Sequence, residues 1–454
     1  MTRHGQMSLR DIVPPRSKFY NQGKFGRLFS HLPPFAPDLE PVRHGLLEIG
    51  KAAGIMDKGD AENFDNPRLP SGFTFFGQFI DHDLTFDPTS SLERHVDPES
   101  IENFRTPVFE LDSVYGAGPE ANPFLYEGRT GKFLIDAGFP NDLPRNSVNV
   151  ALIGDPRNDE NLIVSQLHLA FLKFHNATID RLGVDFEKAQ RFEEAQRLVR
   201  WHYQWIVLHE FLPSLVGREV VEEVLLRGRR FYNWKNEPFI PVEFSVAAYR
   251  FGHSQVRPAF KINDRFEAPI FGAPGSNDLS GNRRIDATRV VDWHNFFEID
   301  GSTPQLSKRI DTTIASPLFR LPFISPNMPS NPSSLAQRNL LRHLTFSLPS
   351  GQAVARAMYL DPLTPGELAD VADLNLGMEY RTPLWFYILR EADKRCGGQT
   401  LGPVGGRIVA EVFIGMLQGD RMSFLSQAPA WKPTLGQQEG QFGIVDLLKF
   451  AQVV

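Results

Sequence analysis

The sequence predicts a mainly α-helical protein organised as one domain, on three observations. Apolar residues recur at helical spacing in the two longest periodic segments, sustained strand-like alternation is absent, and no change of composition marks a linker. From Ile163, the residues Leu167, Ala170, Phe174 and Ala177 step by four and three and share one helix face. Leu162, Leu169, Leu172 and Ile179 fill other faces, so this helix is expected to be buried on most sides. The series Phe192, Ala195, Val199, His202, Ile206 and His209 predicts a second helix. A third is expected after Leu348-Pro349-Ser350, running Gln352 to Tyr359. Thr364-Pro365-Gly366-Glu367 reads as a helix start, with Pro at the first helical position and Glu closing a capping box. A last helix follows Gly402-Pro403 and includes Arg407 to Leu417. Short strands are expected only around Lys132–Ile135 and Phe239–Phe244, with loops over 271–286 and 325–334.

Composition narrows the function classes. The 454 residues carry 48 Lys or Arg against 54 Asp or Glu, a net charge of −6, which argues against a polyanion-binding surface. Hydrophobic residues make up 41% and charged residues 22%, too apolar a mixture for a disordered chain. Cys396 is alone, so an intrachain disulfide or a cysteine-based metal cluster is excluded. No apolar run approaches a membrane span, and residues 1–35 lack the apolar stretch of a signal peptide, from which a cytoplasmic location is expected. Phe occurs 37 times, which suits a chain that must wall a large apolar pocket. The Gly-rich stretch Gly402–Gly406 lacks the Lys-Ser/Thr ending of a phosphate loop.

Among the twelve histidines, His168/His175 and His202/His209 are pairs seven residues apart. Two helical turns separate the members of each pair, so neither has the one-turn spacing of a zinc-binding helix, and core or hydrogen-bonded histidines are expected. His82 differs. It lies in Phe73-Thr74-Phe75-Phe76-Gly77-Gln78-Phe79-Ile80-Asp81-His82-Asp83, where an apolar segment delivers three polar residues in a row. On a helix, Gln78 faces the same way as His82.

The heptapeptide Gly77-Gln78-Phe79-Ile80-Asp81-His82-Asp83 resembles the distal-helix signature of the animal-type haem peroxidases, in the peroxidase–cyclooxygenase superfamily. Further motifs resembling that family follow in order. Thr106-Pro107-Val108-Phe109-Glu110-Leu111-Asp112 is similar to its calcium loop, which implies Thr106, the Val108 carbonyl, Glu110 and Asp112 as ligands, joined by Asp83. Glu110 and Asp112 stand where mammalian relatives have Asp and Ser. Gly154-Asp155-Pro156-Arg157-Asn158-Asp159-Glu160 resembles the element whose Arg enters the distal cavity and whose Glu, with the Asp before the distal His, esterifies haem methyls. Those positions are Arg157, Glu160 and Asp81. Asn161 stands where some relatives carry a sulfonium-forming Met, so that link is not expected. Ala248-Tyr249-Arg250-Phe251-Gly252-His253 resembles the proximal motif, implying His253 as the iron ligand and Arg250 as a propionate contact. Arg338-Asn339-Leu340-Leu341-Arg342 supplies Asn339 as the partner of His253 and Arg342 as a second propionate contact, although His343-Leu344 departs from the Gly-Arg that follows in relatives. The resemblance spans roughly 70–420, and Ser350-Gly351-Gln352 with Leu401–Arg407 look like the short bacterial members.

The resemblance implies a single haem-peroxidase domain at 66–454, with little β-structure, preceded by an extension at 1–65 that packs on or wraps it. It implies haem b, possible ester links at Asp81 and Glu160, and calcium. The implied reaction reduces hydrogen peroxide and oxidises an organic donor or a halide through a ferryl intermediate. His82 moves the proton, Arg157 stabilises developing charge and Gln78 orders distal water or halide. No nucleic-acid or membrane partner is expected. Two alternatives compete. A fatty-acid dioxygenase of the superfamily carries its catalytic Tyr three residues before the proximal His, where this chain has Arg250; Tyr249 is one position off, a turn of about 100° on a helix. A non-catalytic haem-binding protein has no need of His82, Arg157 and Gln78 together.

Overall fold

A computed structural model describes residues 25–85, 105–128, 130–183, 187–234, 237–273, 275–324, 329 and 331–454. Residues 1–24 of the expected extension, and residues 325–328 and 330 of the expected loop at 325–334, lie outside the described residues. The elements that position the site run in this order. Strand β1 is Phe25–Gly26, helix α1 is Glu40–Ile49, β2 is Asp65–Pro70 and α2 is Gly72–Leu84. Then come α3 (Leu162–Leu182), α4 (Lys188–Ile206), α5 (Arg218–Arg227) and β3 (Ile240–Pro241). A hairpin of β4 (Ala259–Asn263) and β5 (Phe266–Pro269) precedes β6 (Leu306–Lys308). The last helices are α6 (Leu335–Thr345), α7 (Gly351–Ala357), α8 (Leu384–Cys396), α9 (Pro403–Gly419) and α10 (Ile444–Phe450).

The sheets are marginal. β1 pairs parallel with β3, β2 antiparallel with β6, and β4 with β5, each a two-stranded ribbon. The fold is therefore mainly α, as the periodicity predicts. Helix α3 is the most deeply enclosed, with every residue from Leu162 to Leu172 buried, because its apolar residues populate all faces. It packs on α2 and α4. The aromatic residues of α2 lock that contact: Phe79 stacks on Phe171 with centroids 4.6 Å apart, and Phe76 meets Tyr203 edge-on at 6.2 Å. With these rings turned into the core, the polar residues Gln78, Asp81 and His82 are left to line the central cavity.

Several expectations are corrected. At Lys132–Ile135 there is only a single bridge, Tyr126 to Phe133, because the backbone of Phe133 spends both its hydrogen bonds on the Asn176 side chain (2.7 and 2.9 Å). The strand expected over Phe239–Phe244 stops after two residues and turns into a π-helical segment, Glu243–Ala247. Glu243 is fully buried and accepts from the amides of Leu28 and Phe29, both at 3.0 Å, which ties the early chain to this turn. The helix over 192–209 ends at Ile206 and continues as a π-turn, Val207–Phe211. The wider turn breaks the 3.6-residue register, so His209 reaches the surface and lies over Trp205 (3.9 Å), whereas His168, His175 and His202 are buried as expected. The Thr364–Glu367 capping box forms, yet it starts only a short 3₁₀ turn, Pro365–Leu368, followed by one α-turn, Ala369–Ala372. Helix α9 is not the last; α10 follows it. Among the described residues, no helix is long and apolar enough to cross a membrane.

Candidate active site

Four segments meet around a cavity of about 470 Å³. Helix α2 brings Gln78, Asp81 and His82. A 3₁₀ turn, Pro156–Asp159, brings Arg157, with Glu160 next to it. A second 3₁₀ segment, Ala248–Gln255, brings Arg250 and His253, and α6 brings Arg342. Residues separated by up to 264 positions thus line one space, together with Phe75, Phe211, Phe271, Leu318 and other apolar side chains. Asn339 sits behind His253 rather than on the wall, and Asp83, Thr106, Val108, Glu110 and Asp112 lie outside the cavity.

The distal side is organised by Asp155. It caps the 3₁₀ turn by accepting from the Arg157 amide at 2.9 Å, and Pro156 supplies the fixed φ of a first helical position. Its carboxylate also takes the Arg157 guanidinium (Nε 3.1 Å, Nη2 2.8 Å) and pairs with Arg105, which is 1% exposed. Burial works to raise the Asp155 carboxyl, but the Arg157 hydrogen bonds and charge, with Arg105, hold it well below the usual carboxylate range. Arg157 also donates to the carbonyls of His82 (3.0 Å) and Thr85, which clamps its head to the end of α2. His82 is buried, and burial followed by the Arg157 charge pushes its imidazole down to about 4, so the ring is neutral at ordinary pH. Its Nδ1 meets Asn158 Oδ1 at 2.8 Å, leaving Nε2 without a hydrogen-bond partner among the described residues.

The proximal side is a closed chain of contacts. His253 Nδ1 lies 2.7 Å from Asn339 Nδ2. A metal bound at Nε2 needs Nδ1 turned away from it, and Asn339 is the side chain that meets Nδ1 there. Burial, then the Arg250 charge, pushes His253 down to about 3, so this ring too is neutral. The departure at His343 has a structural reason. Its Nδ1 contacts the Asn339 carbonyl at 3.0 Å, and its Nε2 accepts the Trp385 amide at 2.9 Å. Trp385 Nε1 in turn donates to the Arg250 carbonyl at 3.1 Å. His343 therefore joins α6, α8 and the His253 segment where a glycine could not.

The cavity fits a planar, dianionic ligand with a metal at its centre. Gly252, next to His253, has nothing within 4 Å of where a Cβ would stand, leaving the backbone bare to the cavity. Four arginines, Arg157, Arg250, Arg338 and Arg342, line it against two carboxylates, Asp81 and Glu160. Tyr249, expected to be turned away by its offset, also lines the cavity. Its hydroxyl donates to the Gly77 carbonyl of α2 at 3.1 Å.

The loop expected to bind calcium is held tightly. Asp83 Oδ2 accepts from the Leu111 amide (3.1 Å) and the Tyr203 hydroxyl (3.3 Å), while the buried Oδ1 has no hydrogen-bond partner. Burial, then the charge of Asp112, raises Asp83 to about 7. The Val108 carbonyl accepts from the Glu110 amide at 3.1 Å. Among the described residues, no group of three or more His, Cys, Asp and Glu gathers as a metal cluster.

Sequence reasoning missed Asn158 as the partner of both His82 and His168, Arg105 as the buried partner of Asp155, and His343 as the tie between helices. Asp155 was legible as an N-cap before Pro156; the others depend on long-range packing that no local pattern encodes.

Residues 93–279 match the family model described as animal haem peroxidase. Heme peroxidase 2 of Caenorhabditis elegans is 25% identical over 70% of this chain and 48% of its own length. Chorion peroxidase of Aedes aegypti is 25% identical over 69% of this chain and 40% of its own length. The chain thus spans about half the length, or less, of these curated relatives. Peroxidase A of Dictyostelium discoideum superposes with a TM-score of 0.69 at 17% identity, covering 94% of each chain. The fatty acid alpha-dioxygenase of Oryza sativa does so with a TM-score of 0.61 at 17% identity, over 93% of this chain and 81% of that one. Over residues 93–279 the chain is therefore similar to the animal haem peroxidases. The matched span includes Arg157, Arg250 and His253; the α2 motif and Asn339 lie outside it.

Asp155 carries a direct prediction. Asp155→Asn removes the buried carboxylate that both Arg105 and Arg157 contact and should cost about 3–5 kcal/mol at neutral pH, measured by denaturant unfolding. Because the folded carboxyl is held low, its contribution is present above the unfolded value near 4 and is lost as pH falls below it. The gap between wild type and variant should therefore shrink in acid.

Proposed function

We propose that the chain is a haem-dependent peroxidase that reduces hydrogen peroxide at the expense of a small organic donor or a halide. The observation that carries the reading is the pair of buried, neutral imidazoles on one cavity, His253 backed by Asn339 and His82 with Nε2 free of partners among the described residues. His253 would hold haem b, Arg250 and Arg342 its propionates, and Asp81 and Glu160 stand on the wall as candidates for ester links. Haem supplies the redox-active iron. His82 Nε2 accepts a proton from one peroxide oxygen and returns it to the other, which then leaves as water; two electrons from the donor complete the reduction. Arg157, fixed by Asp155 and two carbonyls, adds positive charge beside that transfer, and Gln78, one turn before His82, orients water or halide.

We also propose calcium at Asp83 with Thr106, the Val108 carbonyl, Glu110 and Asp112. The unpartnered buried oxygen of Asp83 and its raised carboxyl mark a site short of positive charge, which a hard cation would supply. The ion would brace the end of α2 next to His82.

A dioxygenase reading draws on the rice alpha-dioxygenase neighbour and on Tyr249 in the cavity wall. Against it, the Tyr249 hydroxyl is committed to the Gly77 carbonyl and the position three before His253 is Arg250.

Three measurements test these proposals. With haem loaded, His82→Ala should keep its Soret band but react with peroxide at least 100-fold more slowly by stopped flow; an unchanged rate removes His82 from the mechanism. In the wild type that rate should hold to about pH 5 and fall as pH approaches 4, where His82 protonates, rather than near the ordinary 6.5. Tyr249→Phe should leave it unchanged, and oxygen uptake with a fatty acid that disappears in this variant would favour the dioxygenase. Purified protein should carry calcium by elemental analysis, and chelation should lower its Tm; Asp83→Asn should abolish both effects.

A further inference from the structure

We propose that Asn158 is a positioning residue that holds the proton of His82 on Nδ1, so that Nε2 faces the cavity as a bare lone pair; this rests on the peroxidase reading above. Asn158 follows Arg157 directly but turns away from the cavity and is fully buried. Its Oδ1 lies 2.8 Å from His82 Nδ1 and its Nδ2 lies 2.9 Å from His168 Nδ1. A carbonyl oxygen only accepts and an amide nitrogen only donates, so His82 Nδ1 must donate and His168 Nδ1 must accept. A neutral imidazole carries one proton. With that proton on Nδ1, His82 Nε2 is free to take one from a ligand in the cavity. Turning the amide over would put an N–H against His82 Nδ1 and leave the proton on Nε2, where the ring can accept nothing.

His168 is the second partner of the same amide. It lies ten residues further on, in α3, is fully buried, and does not line the cavity. Its ring packs edge-on against Phe79 at 6.2 Å, the aromatic residue between Gln78 and His82 on α2. With Nδ1 accepting, the His168 proton is on Nε2, a buried atom with no hydrogen-bond partner. An apolar side chain at 168 would avoid that cost, so the ring's one bond, to Asn158, accounts for its polarity there. The chain of contacts runs from α3 through Asn158 to His82, and the group that faces His82 Nδ1 lies outside the cavity.

The tautomer can be read directly. In the full chain loaded with diamagnetic zinc protoporphyrin and labelled with ¹⁵N-histidine, long-range ¹H–¹⁵N spectra should show His82 protonated at Nδ1 and bare at Nε2, its signals assigned by their loss in His82→Gln. The opposite tautomer overturns the proposal. With iron haem, Asn158→Leu should slow the peroxide reaction on the order of 100-fold, with the Soret band and the KM for the donor unchanged. Asn158→Asp, which still accepts from His82 Nδ1, should recover the rate to within about tenfold of wild type. Folded Asn158→Leu reacting at the wild-type rate also overturns the proposal. A wild type inert to peroxide would instead count against the peroxidase reading, and the zinc-loaded spectra would still decide the tautomer.

Discussion

Desolvation of His82 and His253 is the constraint on which the rest of the site depends. Each imidazole sits in a wall built largely of aromatic and aliphatic side chains, where a charged ring would be costly, so burial is the main reason that both are neutral. A neutral ring is what a metal needs as a ligand and what a peroxide needs as a base. The Phe-rich composition therefore has a chemical consequence, because the rings of Phe75, Phe76, Phe79 and Phe171 that pack α2 against its neighbours also exclude water from the histidine between them.

Neutral buried rings still need their remaining nitrogens directed, and the molecule does this with amides rather than carboxylates. Asn158 serves His82 and Asn339 serves His253. A carboxylate in either place would pull the ring toward the charged form. The formal charges are kept one step away, in the Arg105–Asp155–Arg157 group on one side and in Arg250 and Arg342 on the other. Asp155 is the pivot of the first group, since one carboxylate caps a turn, neutralises a buried arginine and aims a second at the end of α2.

Much of this was legible in the sequence where the signal is local. The periodicity of Ile163–Ala177 gave α3, the Gln78/His82 spacing gave one face of α2, and the motif order brought His82, Arg157, Arg250 and His253 to one cavity. What escaped was set by distant partners. The strand expected at Lys132–Ile135 fails because a side chain on α3 takes its hydrogen bonds. The register of His209 is lost to a π-turn that no apolar spacing announces. Tyr249 is held in the cavity wall by distant partners, its ring against Phe244 and Phe413 and its hydroxyl on the Gly77 carbonyl. His343 looked like a departure from pattern and proves to be a tie between two helices and the segment that carries His253.

The most direct test of the account is the iron–histidine stretching band in the resonance Raman spectrum of the ferrous, haem-loaded protein. The account predicts one such band in the wild type, its loss in His253→Ala, and a shift without loss in Asn339→Leu. A band that survives in His253→Ala, or a wild-type chain that takes up no haem, would contradict it.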